Sequence, residues 1–122
     1  MEVLLDTNFI ISAIKQRIDF NEELKEMGFG RVIVPREVMQ ELKDLRFKVP
    51  MADRQAIDIA LTLFSSKKIE KAKVGGKNVD EGLIAKGKQG AYIATLDAAI
   101  KRIVPNRVVI SNAGNGLIIE RS

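Results

Sequence analysis

Short apolar runs alternate with stretches of helical period along the chain. The pattern predicts a strand over Glu2 to Leu5, then Asp6-Thr7-Asn8 and a helix from about Asn8 to Lys15. A second helix is expected over Phe20 to Met27, where Phe20, Leu24 and Met27 fall at i, i+4 and i+7, and Gly28 and Gly30 end it. Arg31 to Val34 reads as a strand, and Pro35 as the first residue of a helix running to about Leu45. Beyond Pro50 a helix is expected from about Ala52 to Ser65, with Ile57, Ala60, Leu61 and Phe64 as its apolar stripe. Lys68 to Val74 alternates as a short strand does, Gly75-Gly76 reads as a turn, and Asn78 can cap a helix over Val79 to Lys88. Ala91 to Leu96 reads as a strand, Asp97 to Val104 as a short helix, Val108 to Ile110 as a strand and Leu117 to Ile119 as one more at the edge. Strands alternating with helices imply an α/β fold with a mainly parallel sheet covered on both faces. Ligands on such sheets bind beyond the carboxyl ends of the strands, near a topological switch point.

That rule directs attention to the residues that follow strands. Asp6 follows Val3-Leu4-Leu5, and Asp97 follows Tyr92 to Leu96. Each precedes a helix, so N-capping explains either one alone as well as a site does. Their equivalent places on two strands favour a site. Asp80 falls on one helix face with Leu83, Ile84 and Gly87, and Glu81 and Lys86 lie roughly 100° or more away around the axis. That face is expected to be buried, where a carboxylate is costly unless paired or metal-bound. The alternative is a first-turn acid serving free N–H groups and the helix dipole. Gly87 would let another element approach this helix closely. Glu41 lies roughly 60° from the Val38, Leu42, Leu45 stripe, at the boundary of the buried face. Alone it reads as a surface glutamate; with three other inward acids it becomes a fourth ligand.

Composition narrows the chemistry. The sequence has no cysteine and no histidine among 122 residues. Thiol nucleophiles, Cys/His zinc sites and imidazole acid–base mechanisms are therefore excluded. Converging carboxylates raise each other's pKa, and hard cations such as Mg²⁺ or Mn²⁺ relieve that repulsion. The length fits one compact domain over residues 1–122. The N-terminus has an acid at position 2 and no basic region, so neither a signal peptide nor a membrane span is expected, and the expected location is cytoplasmic. The net charge of +4, with Lys67, Lys68, Lys71, Lys73, Lys77, Lys86 and Lys88 clustered, weakly favours a polyanionic partner.

Four stretches resemble the motifs of the PIN-domain family, in that family's order: Leu4 to Ile14 (LLDTNFIISAI), Val34 to Leu42 (VPREVMQEL), Val79 to Gly87 (VDEGLIAKG) and Tyr92 to Ile100 (YIATLDAAI). The resemblance implies a three-layer α/β/α sandwich with a mainly parallel sheet of about five strands, related to the nuclease core of flap endonucleases. It also implies metal-dependent cleavage of single-stranded RNA with Mg²⁺ or Mn²⁺. Asp6, Glu41, Asp80 and Asp97 match the family's metal-binding acids, and Asn8 matches the residue that supports the first acid through hydrogen bonds. Thr95 matches the threonine beside the last acid, although an ordinary β-branched strand residue explains it equally well. By the same resemblance the chain is a homodimer, to which Ile11 and Ile14 would contribute unless they serve the core. Its partners would be RNA with either an antitoxin or the ribosome-assembly machinery, as in stand-alone PIN toxins of VapC type or the PIN nuclease of small-subunit ribosomal RNA maturation.

Under that reading, phosphate contacts fall to Arg36, Lys43, Arg46 and Lys86, with Arg54 and Lys101 behind them. Few aromatics and no tryptophan mean backbone recognition outweighs base stacking. Two alternatives stand beside it. A haloacid-dehalogenase-type phosphotransferase also begins with a strand-end Asp but requires a second Asp two residues later, where this chain has Asn8. A non-catalytic PIN-fold RNA-binding or ribosome-assembly module would bind RNA without metal-stimulated cleavage.

Overall fold

In the computed structural model, which describes residues 1–66 and 69–122, the order is β1 (Glu2–Leu5), α1 (Thr7–Lys15), α2 (Phe20–Glu26), β2 (Arg31–Pro35), α3 (Arg36–Leu45), α4 (Met51–Phe64), β3 (Glu70–Ala72), α5 (Val79–Lys88), β4 (Tyr92–Ala94), α6 (Ala98–Ile103), β5 (Asn106–Ile110) and β6 (Leu117–Arg121). The sheet order is β3-β2-β1-β4-β5-β6. The first five strands pair in parallel, and β6 returns antiparallel along β5.

Alternation within the strands sorts the helices into layers. In β1, Val3 and Leu5 join the larger core with Phe9 and Ile10 of α1, Leu24 of α2, Val38 and Leu42 of α3, and Ile57 and Phe64 of α4. Leu4 points the other way, with Ile33 and Ile93, onto Leu83 of α5 and Ile100 of α6. Central strands buried on both faces require continuous apolar runs, which is what β1, β2 and β4 carry. The result is the expected three-layer α/β/α sandwich.

Several boundaries differ from the sequence pattern. The resemblance implies about five strands; the further one, β6, is the edge strand that the pattern expects at Leu117 to Ile119, and it forms a hairpin with β5. Pro35 is not the first residue of α3. It ends β2, paired with Ala72, and its extended ψ of 139° caps the helix from outside. Proline lacks only an N–H, and the end of a strand tolerates that loss. Asp97 and Ser65 likewise stand outside their helices as caps. The strand expected from Lys68 shortens to Glu70–Ala72; Lys67 and Lys68 lie outside the described residues. Among the described residues, no helix is long and apolar enough to cross a membrane.

Candidate active site

Two strand series diverge from β1, one through β2 to β3 and the other through β4 to β5, so the switch point lies between β1 and β4. The two strands are zipped to their ends, where Asp6 N–H donates to the Ala94 carbonyl at 2.9 Å. Beyond that point opens a cavity of about 320 Å³ lined by Asp6, Glu41, Asp80 and Asp97, together with Thr7, Asn8, Ile11, Leu45, Val49 and Asp53. The four acids expected from the sequence thus reach one cavity, from the ends of β1 and β4 and from helices α3 and α5.

Asp6 is the buried member, 5% exposed. Its Oδ1 accepts from Thr7 N–H at 2.9 Å and its Oδ2 from the Thr95 hydroxyl at 2.7 Å. Burial pushes its carboxyl above the ordinary value; those two hydrogen bonds oppose the shift, and the Asp80 and Glu41 charges add to it. Thr95 is fully buried and uses its hydroxyl twice, since Oγ1 also accepts from Asp97 N–H at 3.1 Å. Asp97 is a helix cap after all, accepting on Oδ1 from Ala99 and Ile100 N–H at 2.8 and 3.2 Å. Capping and cavity lining coexist in both strand-end acids.

Asp80 departs from its expected setting. It is exposed, although Leu83 and Gly87 of the same face are buried. Helical period assigns the face, but Asp80 stands in the first turn of α5, before that face meets the core. Its carboxylate therefore opens to the cavity. Glu41 is exposed beside buried Leu42, at the edge of the apolar stripe as expected. Asn8 does not bond to Asp6. Its Oδ1 accepts from Leu96 N–H at 3.1 Å, so it braces the loop that carries Thr95 and Asp97.

The cavity has a fifth acid that the sequence did not single out. Asp53 accepts from Lys15 Nζ at 2.6 Å. Its position in the first turn of α4 gives no signal of this, because its partner is 38 residues away. Thr7 was also missed, and its Oγ1 is the one buried side-chain polar atom among the described residues without a hydrogen-bond partner. Among the described residues, no lysine or arginine lines the cavity. Arg36 and Lys43 are exposed on α3, and Lys86 is half-buried on α5. Arg46 is paired with Asp58 and its carbonyl accepts from Arg54. Lys71 is turned onto the carbonyls of Ser66 and Ile69, while Lys73, Lys77 and Lys88 are exposed. Ile11 lines the cavity, and both Ile11 and Ile14 pack against the larger core.

Carboxylate oxygens are the donors that hard divalent cations prefer, and among the described residues the one cation paired with this set is Lys15, on Asp53. The donor chemistry therefore fits Mg²⁺ or Mn²⁺. Among the described residues no three acids are already drawn together tightly enough to hold an ion. The exposed side chains of Glu41 and Asp80 have the freedom to close that spacing.

Comparison with known proteins bears on the same stretches. A family model described as PIN like domain matches residues 3–111. The chain is 28% identical over 105 residues to Ribonuclease VapC9 of Archaeoglobus fulgidus, covering 85% of this chain and 76% of that protein. Among solved structures it resembles the PIN domain endonuclease Utp24, with a TM-score of 0.75 and 23% identity over 99% of this chain and 92% of the other. It also resembles a chain of VapBC2 from Rickettsia felis bound to a DNA fragment from their promoter, with a TM-score of 0.55 and 19% identity over 84% and 93% of the two chains.

Proposed function

Because this chain belongs to the PIN-like domain family, we propose that it is a Mg²⁺- or Mn²⁺-dependent endoribonuclease that hydrolyses phosphodiester bonds in single-stranded RNA. Residues 1–122 would act as one nuclease domain, in the cytoplasm. The observation that carries this reading is the opening of Asp6, Glu41, Asp80 and Asp97 from four elements onto one cavity at the switch point of the sheet. The similarity to a ribonuclease over most of the chain supports the substrate class.

In this mechanism the four acids would hold the cation. Bound there, a divalent cation makes a water easier to deprotonate and stabilises charge on a phosphoryl oxygen. The chain's own residues fix the geometry. Asp6 presents a carboxylate whose orientation is locked by Thr7 N–H and the Thr95 hydroxyl. Thr95 ties Asp6 to Asp97, and Asn8 holds the loop between them. Arg36, Lys43 and Lys86 would contact RNA phosphates outside the cavity wall, as would Arg46 once released from Asp58.

The partners in this reading are RNA, a second copy of the chain, and an antitoxin or a ribosome-assembly factor. Similarity to a VapC ribonuclease and to a VapBC2 chain is consistent with an antitoxin partner.

The test is cleavage of varied single-stranded RNAs with Mn²⁺, Mg²⁺ or EDTA, by the wild type, Asp6→Asn and Asp80→Asn. Loss of even a residue behind the metal ligands costs 10–100-fold, so each variant should fall by on the order of 100-fold or more. EDTA should abolish cleavage. Equal rates in the wild type and both variants would remove the acids from the mechanism. RNA binding without cleavage under every condition would point to the non-catalytic module.

A further inference from the structure

One acid near the cavity does not line it and yet connects two of the acids that do. Glu37 lies in the first turn of α3, one turn before Glu41. Its carboxylate accepts from Val74 N–H at 3.2 Å to each oxygen and from Gly75 N–H at 3.0 Å. The topology explains the meeting. β2 and β3 run parallel with Pro35 beside Ala72, so the chain leaving β3 passes the start of α3. Burial would raise the Glu37 carboxyl, but bonds from backbone N–H groups and the nearby Lys73 charge bring it below its ordinary value.

The loop that Glu37 grips is also the bed of α5. A Cβ added at Gly82 would stand 2.5 Å from the Gly75 carbonyl and 2.6 Å from Val74 Cγ2. The helix backbone therefore rests directly on the two residues whose N–H groups Glu37 holds. Val74 also packs into the smaller core, and Gly75 and Gly76 turn the chain with φ of 76° and 81°. Asp80 lies two residues before Gly82, in the turn capped by Asn78, whose Oδ1 accepts from Glu81 N–H at 2.9 Å.

We propose that Glu37 is a positioning residue for the acidic cavity. By clamping Val74 and Gly75 to α3, it sets where α5 sits, and so the separation between Asp80 on α5 and Glu41 on its own helix. This rests on the ribonuclease reading for its consequence in catalysis, but its geometric part stands apart from that reading. Metal affinity should depend on it, because the exposed side chains of Glu41 and Asp80 can close on one ion only if their backbones start at the right distance. Residues that orient metal ligands typically contribute 10–100-fold in affinity or activity.

The experiment compares the wild type with Glu37→Gln and with Gly82→Ala, which disturbs the same contact from the helix side. The chain has no cysteine, so spin labels at Gln40→Cys and Glu81→Cys report the α3–α5 distance without touching the four acids. In parallel, Mn²⁺ affinity is measured by calorimetry without RNA, and kcat and KM with RNA. Thermal melting verifies folding. Both substitutions should broaden the distance distribution, weaken Mn²⁺ binding about 10-fold or more, and lower kcat with KM for RNA unchanged. An unchanged distance distribution in folded Glu37→Gln overturns the proposal. So does a broadened one with unaltered Mn²⁺ affinity. If the wild type neither binds Mn²⁺ nor cuts RNA, the ribonuclease reading falls, and the distance measurement alone decides whether Glu37 positions α5. Should Gly82→Ala fail to fold, Glu37→Gln carries the test, because glutamine keeps the side chain's size while losing the charge that three N–H contacts share.

Discussion

Two buried threonines flank Asp6 and stand in opposite circumstances. The Thr95 hydroxyl donates to Asp6 and accepts from Asp97 N–H, so both of these bonds serve the cavity. The Thr7 hydroxyl has no partner. Valine has nearly the same shape as threonine, so the same substitution at both sites isolates the hydroxyl. Thr95→Val leaves a carboxylate oxygen and an N–H short of a bond and should cost roughly 2 kcal/mol of stability. Thr95→Ser keeps the bridge and should recover most of that loss. Thr7→Val removes an unsatisfied polar atom and should be neutral or slightly stabilising. Urea denaturation in EDTA measures all three. Equal stabilities for Thr95→Val and Thr7→Val would mean that the bridge contributes nothing. The difference between these threonines is invisible in the sequence, where both are β-branched residues within two positions of an Asp. What the sequence does carry is the break of an apolar run at Asp6, because a charged residue cannot continue a strand buried on both faces.

Among the elements, α5 is seated by two glycines. Gly82 meets the loop of Val74 and Gly75, and a Cβ at Gly87 would stand 2.5 Å from Val104 Cγ1 and 2.9 Å from Val104 Cβ. Alanine in mid-helix ordinarily gains about 1 kcal/mol over glycine. Here the obstacle is the Cβ of Val104, which cannot rotate away, and overpacking of that kind costs roughly 1–3 kcal/mol. Gly87→Ala should therefore destabilise, by about 1 kcal/mol net, and Val104→Ala in the same chain, which removes the Cγ1 contact and keeps the Cβ one, should relieve part of the clash. A double-mutant cycle by thermal melting reads this as a favourable coupling. Simple additivity of the two losses would show that α5 shifts freely along its groove. The close approach at Gly87 was legible from its place on the apolar stripe. Asp80's exposure was not, because a helical period reports a direction around an axis and nothing about where along that axis the core begins. The bond from Glu37 to Val74 spans 37 residues and leaves no local trace either. Strands, helices and their layering were legible because they depend on near neighbours, whereas α5's seat depends on contacts that close only in the fold.

At the scale of the whole molecule, the cavity sets stability against function. Asp6 has its carboxyl raised from an ordinary value of 3.8, so between that value and the folded one the native state binds the extra proton. Stability from this group is fully present below the unfolded pKa and is lost as pH rises through the folded one. Above its folded value the wild type carries the penalty of a buried carboxylate facing Asp80 and Glu41. Asp6→Asn removes the charge. In EDTA at about pH 7 it should be more stable than the wild type by about 1 kcal/mol, the usual gain when an active-site conflict is relieved. The gap should close as pH falls toward the ordinary carboxylate range, where the wild-type group is neutral too. Glu37 works in the opposite sense, since its lowered pKa contributes stability above the ordinary value that is lost on acidification, and it does so equally in both proteins. Their difference therefore isolates Asp6. Mn²⁺ at about 100 times its dissociation constant should add about 2.7 kcal/mol to the wild type. It should add much less to Asp6→Asn, so the order of melting temperatures reverses. Melting curves of both proteins across pH, with EDTA and with Mn²⁺, make the comparison. A wild type that is already the more stable protein in EDTA at neutral pH would show that repulsion in the cavity is offset within the fold, and that the acids need no cation to coexist.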